Sequence, residues 1–193
     1  PSNMEKTFTA GETFEKTDYT TDRLPVGEYE NCVFNHCDFS NSDLSGIVFS
    51  ECVFNGCNLS LAKLKKTALK DVRFKDCKML GLRFEDCHGF LFAVDFDKCI
   101  LSHASFYSLK LKRTAFKNSI LHETDFTEAD LGNALFANCD LKRAVFENTI
   151  LEKADFRSSH SYSIDPERNK LKKARFSMSG ILGLLEKHDI DVE

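Results

Sequence analysis

A large apolar residue returns at every fifth position over most of this chain. One run of fifteen such positions extends from Phe14 to Phe84, and a second run of fourteen extends from Leu91 to Phe156. Neither an α-helix, with a period of 3.6, nor a strand, with a period of 2, produces this spacing. The five-residue period therefore predicts a solenoid, in which each short segment adds one inward side chain to a shared core.

A longer period of twenty lies above the short one. Every fourth of these apolar centres is a phenylalanine without exception, and the set is Phe14, Phe34, Phe54, Phe74, Phe96, Phe116, Phe136 and Phe156. This regularity predicts four faces per coil, with like residues stacked on like. Because neighbouring strands lie about 4.8 Å apart, seven to eight coils would form a rod about 35–40 Å long.

The position two before each centre is mostly small and shares the inward side of an extended segment. All eight cysteines fall in that slot: Cys32, Cys37, Cys52, Cys57, Cys77, Cys87, Cys99 and Cys139. Cysteine is small and readily buried, so it replaces alanine there. We interpret these residues as core with reduced thiols, and we expect no metal and no cofactor.

Tandem motifs such as Cys37-Asp38-Phe39-Ser40-Asn41 and Ala129-Asp130-Leu131-Gly132-Asn133 resemble the pentapeptide-repeat family. The resemblance covers about residues 14–181. It implies an all-β fold, a right-handed quadrilateral β-helix, here with a short C-terminal helix. One such scaffold serves many roles, so the resemblance says less about function.

Two interruptions and two ends complete the predicted organisation. The spacing from Phe84 to Leu91 predicts a two-residue bulge within residues 85–90. The spacing from Phe156 to Leu171 predicts a loop of about ten residues within 157–170, after which Leu171, Phe176 and Ile181 resume on the second, third and fourth faces. Residues 1–13 are interpreted as an N-terminal tail or cap.

Residues 182–193 are predicted to cap the last coil or to pair with a second copy. The pattern indicates a short amphipathic helix followed by a strand at Ile190–Val192, and the apolar side chains are Leu184, Leu185, Ile190 and Val192. This ending resembles the C-terminal dimerisation module of the quinolone-resistance (Qnr-type) members of the family. The resemblance favours a homodimer.

Charge is uneven along the chain, although the net charge is only −4. Residues 61–84 carry eight bases and two acids, and the candidate basic belt is Lys63, Lys65, Lys66, Lys70, Lys75, Lys78 and Arg83, with Arg73 beside it. The preferred interpretation is a solvated surface, and the alternative is a docking patch for an acidic protein or a nucleic-acid backbone. Direct nucleic-acid binding is disfavoured, because the belt lacks interleaved aromatic residues.

Several apolar residues fall in outward positions near the predicted bulge. They are Leu80, Phe90, Phe92, Ile100, Tyr107 and Ile120. A contiguous group of this kind marks an interface, whereas scattered residues serve local packing. We interpret the region from Leu80 to Tyr107 as the candidate partner surface, with local packing as the alternative.

No phosphate-binding loop or hydrolase motif is present in the sequence. Ser102, His103, His122 and Glu123 would share one flat face, which offers no pocket for catalysis. We therefore expect a non-enzymatic scaffold that binds a protein partner. The alternative, implied by the Qnr-type resemblance, is a DNA-mimicking protector of DNA gyrase or topoisomerase IV. The sequence shows no signal peptide or membrane span, and we expect a cytoplasmic protein.

Overall fold

The computed structural model describes residues 7–193 as a stack of short parallel strands. The strands are β1 (Thr7–Ala10), β2 (Thr13–Glu15), β3 (Gly27–Glu30), β4 (Val33–Asn35), β5 (Val48–Ser50), β6 (Val53–Asn55), β7 (Ala68–Lys70), β8 (Val72–Lys75), β9 (Val94–Asp97), β10 (Ala115–Lys117) and β11 (Leu135–Ala137). They form two parallel sheets with the orders β1-β3-β5-β7 and β2-β4-β6-β8-β9-β10-β11. Every second strand along the chain therefore stacks in the same sheet until β8.

The two sheets are two of the four sides of a solenoid. We call the longer sheet face 1 and the shorter one, with its continuation through Lys110, Asp130, Ile150 and Lys170, face 4. Between them lie face 2, joined by single bridges from Asp18 to His160, and face 3, joined by bridges such as Asp43 to Lys63. The predicted fold class, a β-helix with four sides per coil, is confirmed.

The phenylalanine column fills the core behind face 1. Consecutive rings from Phe14 to Phe156 stack nearly parallel, with centroids 4.6–5.4 Å apart. Phe14 is half-buried at the end of the rod, whereas the other seven predicted members are buried. Offset and edge-on aromatic contacts add to the stabilisation from burial. The edge-on contacts link this column to the rings on faces 2, 3 and 4.

The corners between faces use the left-handed backbone conformation two residues after most centres. His36, Asn41 and Leu61 have φ values of 52°, 57° and 57°. This conformation costs energy in a residue with a Cβ, but it aims the N–H along the rod. His36 N–H, for example, donates to Asn55 O in the next coil at 2.8 Å. The stacking of coils holds the strained corners in place.

The cysteines lie where the repeat predicts, and all eight are buried free thiols. Every thiol except that of Cys87 donates to a carbonyl of the preceding coil. Cys52 donates to Tyr29 O and Cys57 to Phe34 O, both at 3.2 Å. Burial raises the pKa of Cys52 and of Cys139 to about 11. Such thiols remain protonated and are poor nucleophiles at neutral pH.

The solenoid begins earlier than residue 14. β1 pairs in parallel with β3, with Thr9 beside Tyr29, so Thr7–Ala10 adds a level to face 4. The part of the predicted tail from Thr7 onward is thus repeat structure, and the remainder, residues 1–6, lies outside the described residues.

The two-residue insertion lies within residues 89–93, which overlaps the predicted range of 85–90 only at its end. His88 N–H donates to Thr67 O, as Ala68 N–H donates to Ile47 O one coil before, so the register is still regular at His88. Val94 pairs with Val72, 22 residues apart, so the extra residues lie between His88 and Val94. Leu91 consequently points outward and is 62% exposed, although it was expected to be a core centre.

The predicted ten-residue loop within 157–170 is wrong as an insertion. Lys170 pairs with Ile150 and Arg175 pairs with Asp155, so one coil of normal length spans these residues. Leu171 therefore lies on face 4, and Phe176 stacks under Phe156 at 5.3 Å as the next member of the phenylalanine column. The segment is irregular because its inward residues, Tyr162 and Ile164, stand off the five-residue register.

The C-terminal segment forms two 3-10 turns, at Ile181–Leu184 and Glu186–His188, rather than an amphipathic α-helix. The predicted strand at Ile190–Val192 does not form either. The turns fold back on the last coil, where Ile164 N–H donates to Gly183 O at 2.9 Å. The glycine is required there, because a Cβ at residue 183 would meet the backbone of Tyr162.

Candidate interaction surfaces

The six apolar residues of the predicted partner surface lie on three different faces. Leu80, Ile100 and Ile120 are on face 2, Phe90 is on face 4, and Tyr107 is on face 3. The sixth residue, Phe92, is half-buried and packs edge-on against Phe84. The structure therefore divides the predicted surface, and only Ile100 and Ile120 are joined directly, on adjacent coils of face 2.

We call Leu80, Ile100 and Ile120 the face 2 ridge. Ile100 bridges directly to Ile120, and each is 38% exposed in the slot immediately before a core centre. Leu61, which the sequence did not single out, lies at the adjoining corner with 59% of its surface exposed and covers Gly81. Its position in a slot that is usually polar was the available signal.

Histidine–carboxylate pairs continue face 2 beyond the ridge. His103 Nδ1 lies 2.9 Å from Glu123 Oε2, and His122 Nε2 lies 2.6 Å from Asp140 Oδ2. Partial burial opposes ionisation of Asp140, but its hydrogen bond with His122 holds the pKa of that carboxyl below its ordinary value. His103 therefore pairs with Glu123 and His122 with Asp140, whereas no hydrogen bond joins the Ser102 hydroxyl to either imidazole within residues 7–193.

The basic belt of residues 61–84 is spread around the rod. Lys63, Lys65 and Lys66 lie on face 3, as does Arg83 one coil later. The remaining members occupy the other sides: Lys70 on face 4, Arg73 and Lys75 on face 1, and Lys78 on face 2. A run of bases in the sequence thus becomes a ring, and no single face collects the whole charge.

A stronger concentration of bases forms on face 4 from residues that are distant in sequence. We call it the basic strip, and it consists of Lys110, Lys112, Arg113, Lys153, Lys170, Lys172 and Lys173. All seven side chains are exposed, and Asp130 and Glu152 are the acids on the same part of the face. In the sequence these bases recur at intervals of twenty and sixty residues, so they do not form a single run of neighbouring charges.

The other end of face 4 is acidic. Glu28, Glu30 and Glu51 are exposed there and form no ion pair within residues 7–193. Between the two ends the backbone ladder is interrupted, because no backbone hydrogen bond joins residues 90–93 to residues 110–113 in the described structure. A groove of about 570 Å³ runs along the adjacent corner, and its walls include Arg73, Phe92 and Arg113.

The C-terminal segment exposes apolar side chains at the end of the rod. Leu184 is half-buried against the core, whereas Leu185, Ile190 and Val192 are 36–59% exposed. Lys187 Nζ fixes the segment by contacting Asp165 Oδ1 at 2.8 Å and Glu167 Oε2 at 2.6 Å. Hydrogen bonding from Lys187 lowers the pKa of Asp165 from its ordinary value.

Two further properties concern the described residues as a whole. Within residues 7–193, no helix combines the length and the apolar composition needed to cross a membrane. In the same range, no three histidine, cysteine or carboxylate side chains converge as a metal-binding group.

Comparison with known proteins identifies a repeat family. The family model for the pentapeptide repeat region matches residues 28–89 and 90–176. A search of curated protein sequences gave no match.

Solved structures with this architecture cover nearly the whole chain. A trypsin-treated variant of QnrB1, a plasmid-mediated fluoroquinolone resistance protein, aligns with a TM-score of 0.57 and 18% identity, over 97% of this chain and 99% of that one. HetL, a pentapeptide-repeat protein involved in heterocyst differentiation regulation in the cyanobacterium Nostoc sp., aligns with a TM-score of 0.43 and 17% identity, over 91% and 86%. At these identities the first alignment supports the fold alone.

Proposed function

Because this chain belongs to the pentapeptide-repeat family, we propose that it is a binding scaffold without catalytic activity, which presents the faces of its solenoid to a macromolecular partner. One observation carries this proposal: the inward slots are filled by core side chains, so the distinguishing residues lie on outward, nearly flat faces. Flat faces suit recognition of another macromolecule better than enclosure of a small substrate.

The face 2 ridge is the surface on which we place a protein partner. Its isoleucines form a contiguous apolar strip, and the polar pairs at His103 and His122 continue along the same face. An apolar centre with a polar margin is the usual anatomy of a protein interface. We also propose a cytoplasmic location, which suits eight free thiols.

The ridge is tested by a double substitution, Ile100→Asp/Ile120→Asp, in a comparative affinity capture from the native cell. The matched control is Val145→Asp, since Val145 occupies the same slot on face 3 and is 45% exposed. We expect a specific partner to bind the wild type and the control but not the double variant. Identical captured proteins for all three, with matched thermal stability, would contradict the assignment of the ridge.

We further propose a contact between two copies through the C-terminal segment. Its support is the exposed apolar group Leu185, Ile190 and Val192 on a segment that the Lys187 contacts hold in place. The variant Leu185→Asp/Ile190→Asp should reduce the mass that light scattering measures at about 500 mM salt, where attraction between exposed charges is screened. A wild type that is monomeric at every concentration would remove this contact from consideration.

A second candidate function is modulation of DNA gyrase or topoisomerase IV. It is supported by the structural likeness to QnrB1, a fluoroquinolone resistance protein. The basic strip opposes it, because a surface that replaces DNA should be continuously negative. A gyrase supercoiling assay with a quinolone decides the matter: protection would support this function, and absence of both protection and gyrase binding would exclude it.

A further inference from the structure

Face 4 has opposite charges at its two ends, and most of them are unpaired. Glu28, Glu30 and Glu51 mark the acidic end, and the basic strip marks the other. Of the strip, only Lys112 has an ion-pair partner within residues 7–193, which is Asp130 at 3.5 Å. Exposed charges that find no partner in their own chain are available to a second molecule.

From this pattern we propose that two copies of the chain associate antiparallel through face 4. The twofold axis lies in the plane of the contact and is perpendicular to the rod. It runs between the coil that contains Phe90 and the coil that contains Lys110. A twofold contact places the same surface on both partners, so it requires a surface that is complementary to itself. Face 4 meets this requirement in one arrangement of the two copies.

The arrangement follows from the stacking of levels. Each coil contributes one level to face 4, and from Glu28 to Lys170 there are eight levels, four on either side of the axis. The axis places the first level against the eighth level of the other copy, and the second against the seventh. Each row of outward positions then lies over the same row of the other copy. Three acid–base pairs result, each formed twice: Glu28 with Lys170, Glu30 with Lys172, and Glu51 with Lys153.

The remaining facing positions are compatible with this arrangement. Each level has three outward positions, which are one before, one after and two after the centre, so the arrangement has twelve different facing pairs. In none of them does an acid face an acid, or a lysine or arginine face another lysine or arginine. Val48 faces Ile150, so one pair is apolar on both sides. Like charges that face each other would have counted against the arrangement.

Exposed aromatic and apolar surface lies beside the axis. Phe90 and Leu91 are 65% and 62% exposed, and they would face Lys112 and Arg113 of the other copy. The ring of Phe90 already has Lys70 Nζ at 5.9 Å from its centroid, which leaves its other side open. A cation over that side is a favourable contact.

The parallel arrangement is excluded by the same charges. With the axis along the rod, each level would face the same level of the other copy, so Glu28 would meet Glu30 of that copy, and Lys170 would likewise meet Lys172. Those contacts are repulsive. Among the two twofold ways of laying face 4 on itself, the antiparallel one alone brings acids to bases.

The size of the contact sets its strength. Seven spacings of about 4.8 Å and a width of about 10 Å give a face of roughly 340 Å² per copy. This is smaller than a stable interface, so the association should be weak and driven by charge. We expect the dissociation constant to rise about tenfold between roughly 50 mM and 500 mM salt.

Charge reversal with rescue tests the proposal. Glu28→Lys/Glu30→Lys and Lys170→Glu/Lys172→Glu should each weaken self-association by about tenfold or more in sedimentation equilibrium at low salt, because each creates like-charged pairs. A mixture of the two variants should restore association, since every reversed acid then meets a reversed base. The matched control is Glu12→Lys/Glu15→Lys, which makes the same change at the same end of the rod on face 1 and should leave association unchanged.

Carbodiimide coupling of carboxylates to lysines supplies a second readout. Glu28 and Lys170 lie seven levels, or about 34 Å, apart in one copy, so a direct cross-link between them must join two copies. We expect this cross-link in the wild type and its loss in either double variant. The C-terminal contact is separate, because Leu185→Asp/Ile190→Asp should leave the cross-link in place.

Three results would overturn the proposal. One is a wild type that remains monomeric at low salt up to about 1 mM. Another is a mixture of the two reversed variants that does not associate. The third is capture of duplex DNA or an acidic polypeptide by the basic strip with no self-association, which would assign the strip to that ligand. None of these results bears on the face 2 ridge, so the proposed binding of a protein partner is judged independently.

Discussion

The two irregular segments of the solenoid affect the stacking of coils differently. Between His88 and Val94 the chain gains two residues, and the backbone ladder of face 4 is interrupted as far as Lys110. Between Phe156 and Phe176 the chain keeps its normal length, and the ladders continue through Lys170 and Arg175. The first segment changes the number of residues in a coil. The second segment keeps that number, but it departs in which side chains fill the core and in its face 3 ladder, where no bridge joins Val145 to Asp165 within residues 7–193.

The difference shows that register is held by the backbone and not by the apolar pattern. In the coil of residues 157–175 the buried side chains Tyr162 and Ile164 replace the missing centres. Hydrogen bonds to the previous coil persist on face 2, at His160, and on face 4, at Lys170. In the insertion the apolar residue Leu91 lies five residues before Phe96, as a core centre would, yet it faces solvent. Side chains can substitute for one another in a column, whereas an extra residue must leave the ladder.

The largest effect is expected from removing a ring in a regular coil. Phe116 is fully buried and stacks on Phe96 and Phe136, so Phe116→Ala should lower the free energy of unfolding by about 3–5 kcal/mol. Urea denaturation measures this change. The control is Phe14→Ala at the half-buried end of the column, where a smaller loss is expected, and equal losses would contradict a graded core.

The irregular coil should depend on its core nearly as strongly. Ile164 is 1% exposed, so Ile164→Ala should cost about 2–4 kcal/mol in the same measurement. Val145→Ala, at an exposed position on face 3, should change stability by less than about 0.5 kcal/mol. If the two substitutions cost the same, residues 157–175 are not an integral coil.

A polar side chain makes a smaller contribution to the same coil. The amide of Asn169 accepts a bond from Thr149 N–H at 2.9 Å and donates to Phe146 O and Asp165 O, both at 3.0 Å. Asn169→Ala leaves buried backbone groups unpaired and should cost about 1–3 kcal/mol. Ser163→Ala, at an exposed neighbouring position, is the control and should be nearly neutral in thermal denaturation.

The smallest effect concerns the insertion. Leu91 has a φ of 57° and an exposed side chain, so Leu91→Gly relieves strain and should raise stability by no more than about 1 kcal/mol. Leu61 has the same φ, but its side chain covers Gly81, so Leu61→Gly should give no gain. Differential scanning calorimetry on dilute protein compares the thermal stability of the two variants. A loss of stability in Leu91→Gly would show that Leu91 contributes to packing.

Most of the fold follows from the sequence, because one slot repeated many times averages out local exceptions. The column from Phe34 to Phe156 and the inward cysteines were located by counting alone. The insertion was misplaced because Gly89, with no side chain, occupies the expected centre, and Phe92 packs against Phe84 from outside the register. The C-terminal turns were not predicted, since their shape depends on contacts with Tyr162 and Asp165.

The candidate surfaces were less accessible to sequence reasoning. A solenoid separates neighbours in sequence onto different sides, which is why the bases of residues 61–84 do not form a patch. It brings together residues one or more coils apart, as it does for Lys110, Lys153 and Lys173. Reading the charges along each face, after the coil length is known, recovers the basic strip.

The interrupted ladder on face 4 has a mechanical consequence. Each coil in a solenoid is stabilised by its immediate neighbours, so the coupling between adjacent coils sets where the array separates. Between residues 90–93 and 110–113 one of the four sides contributes no backbone bonds. Under tension applied to its two ends, the rod should therefore yield first at this joint and extend as two successive blocks.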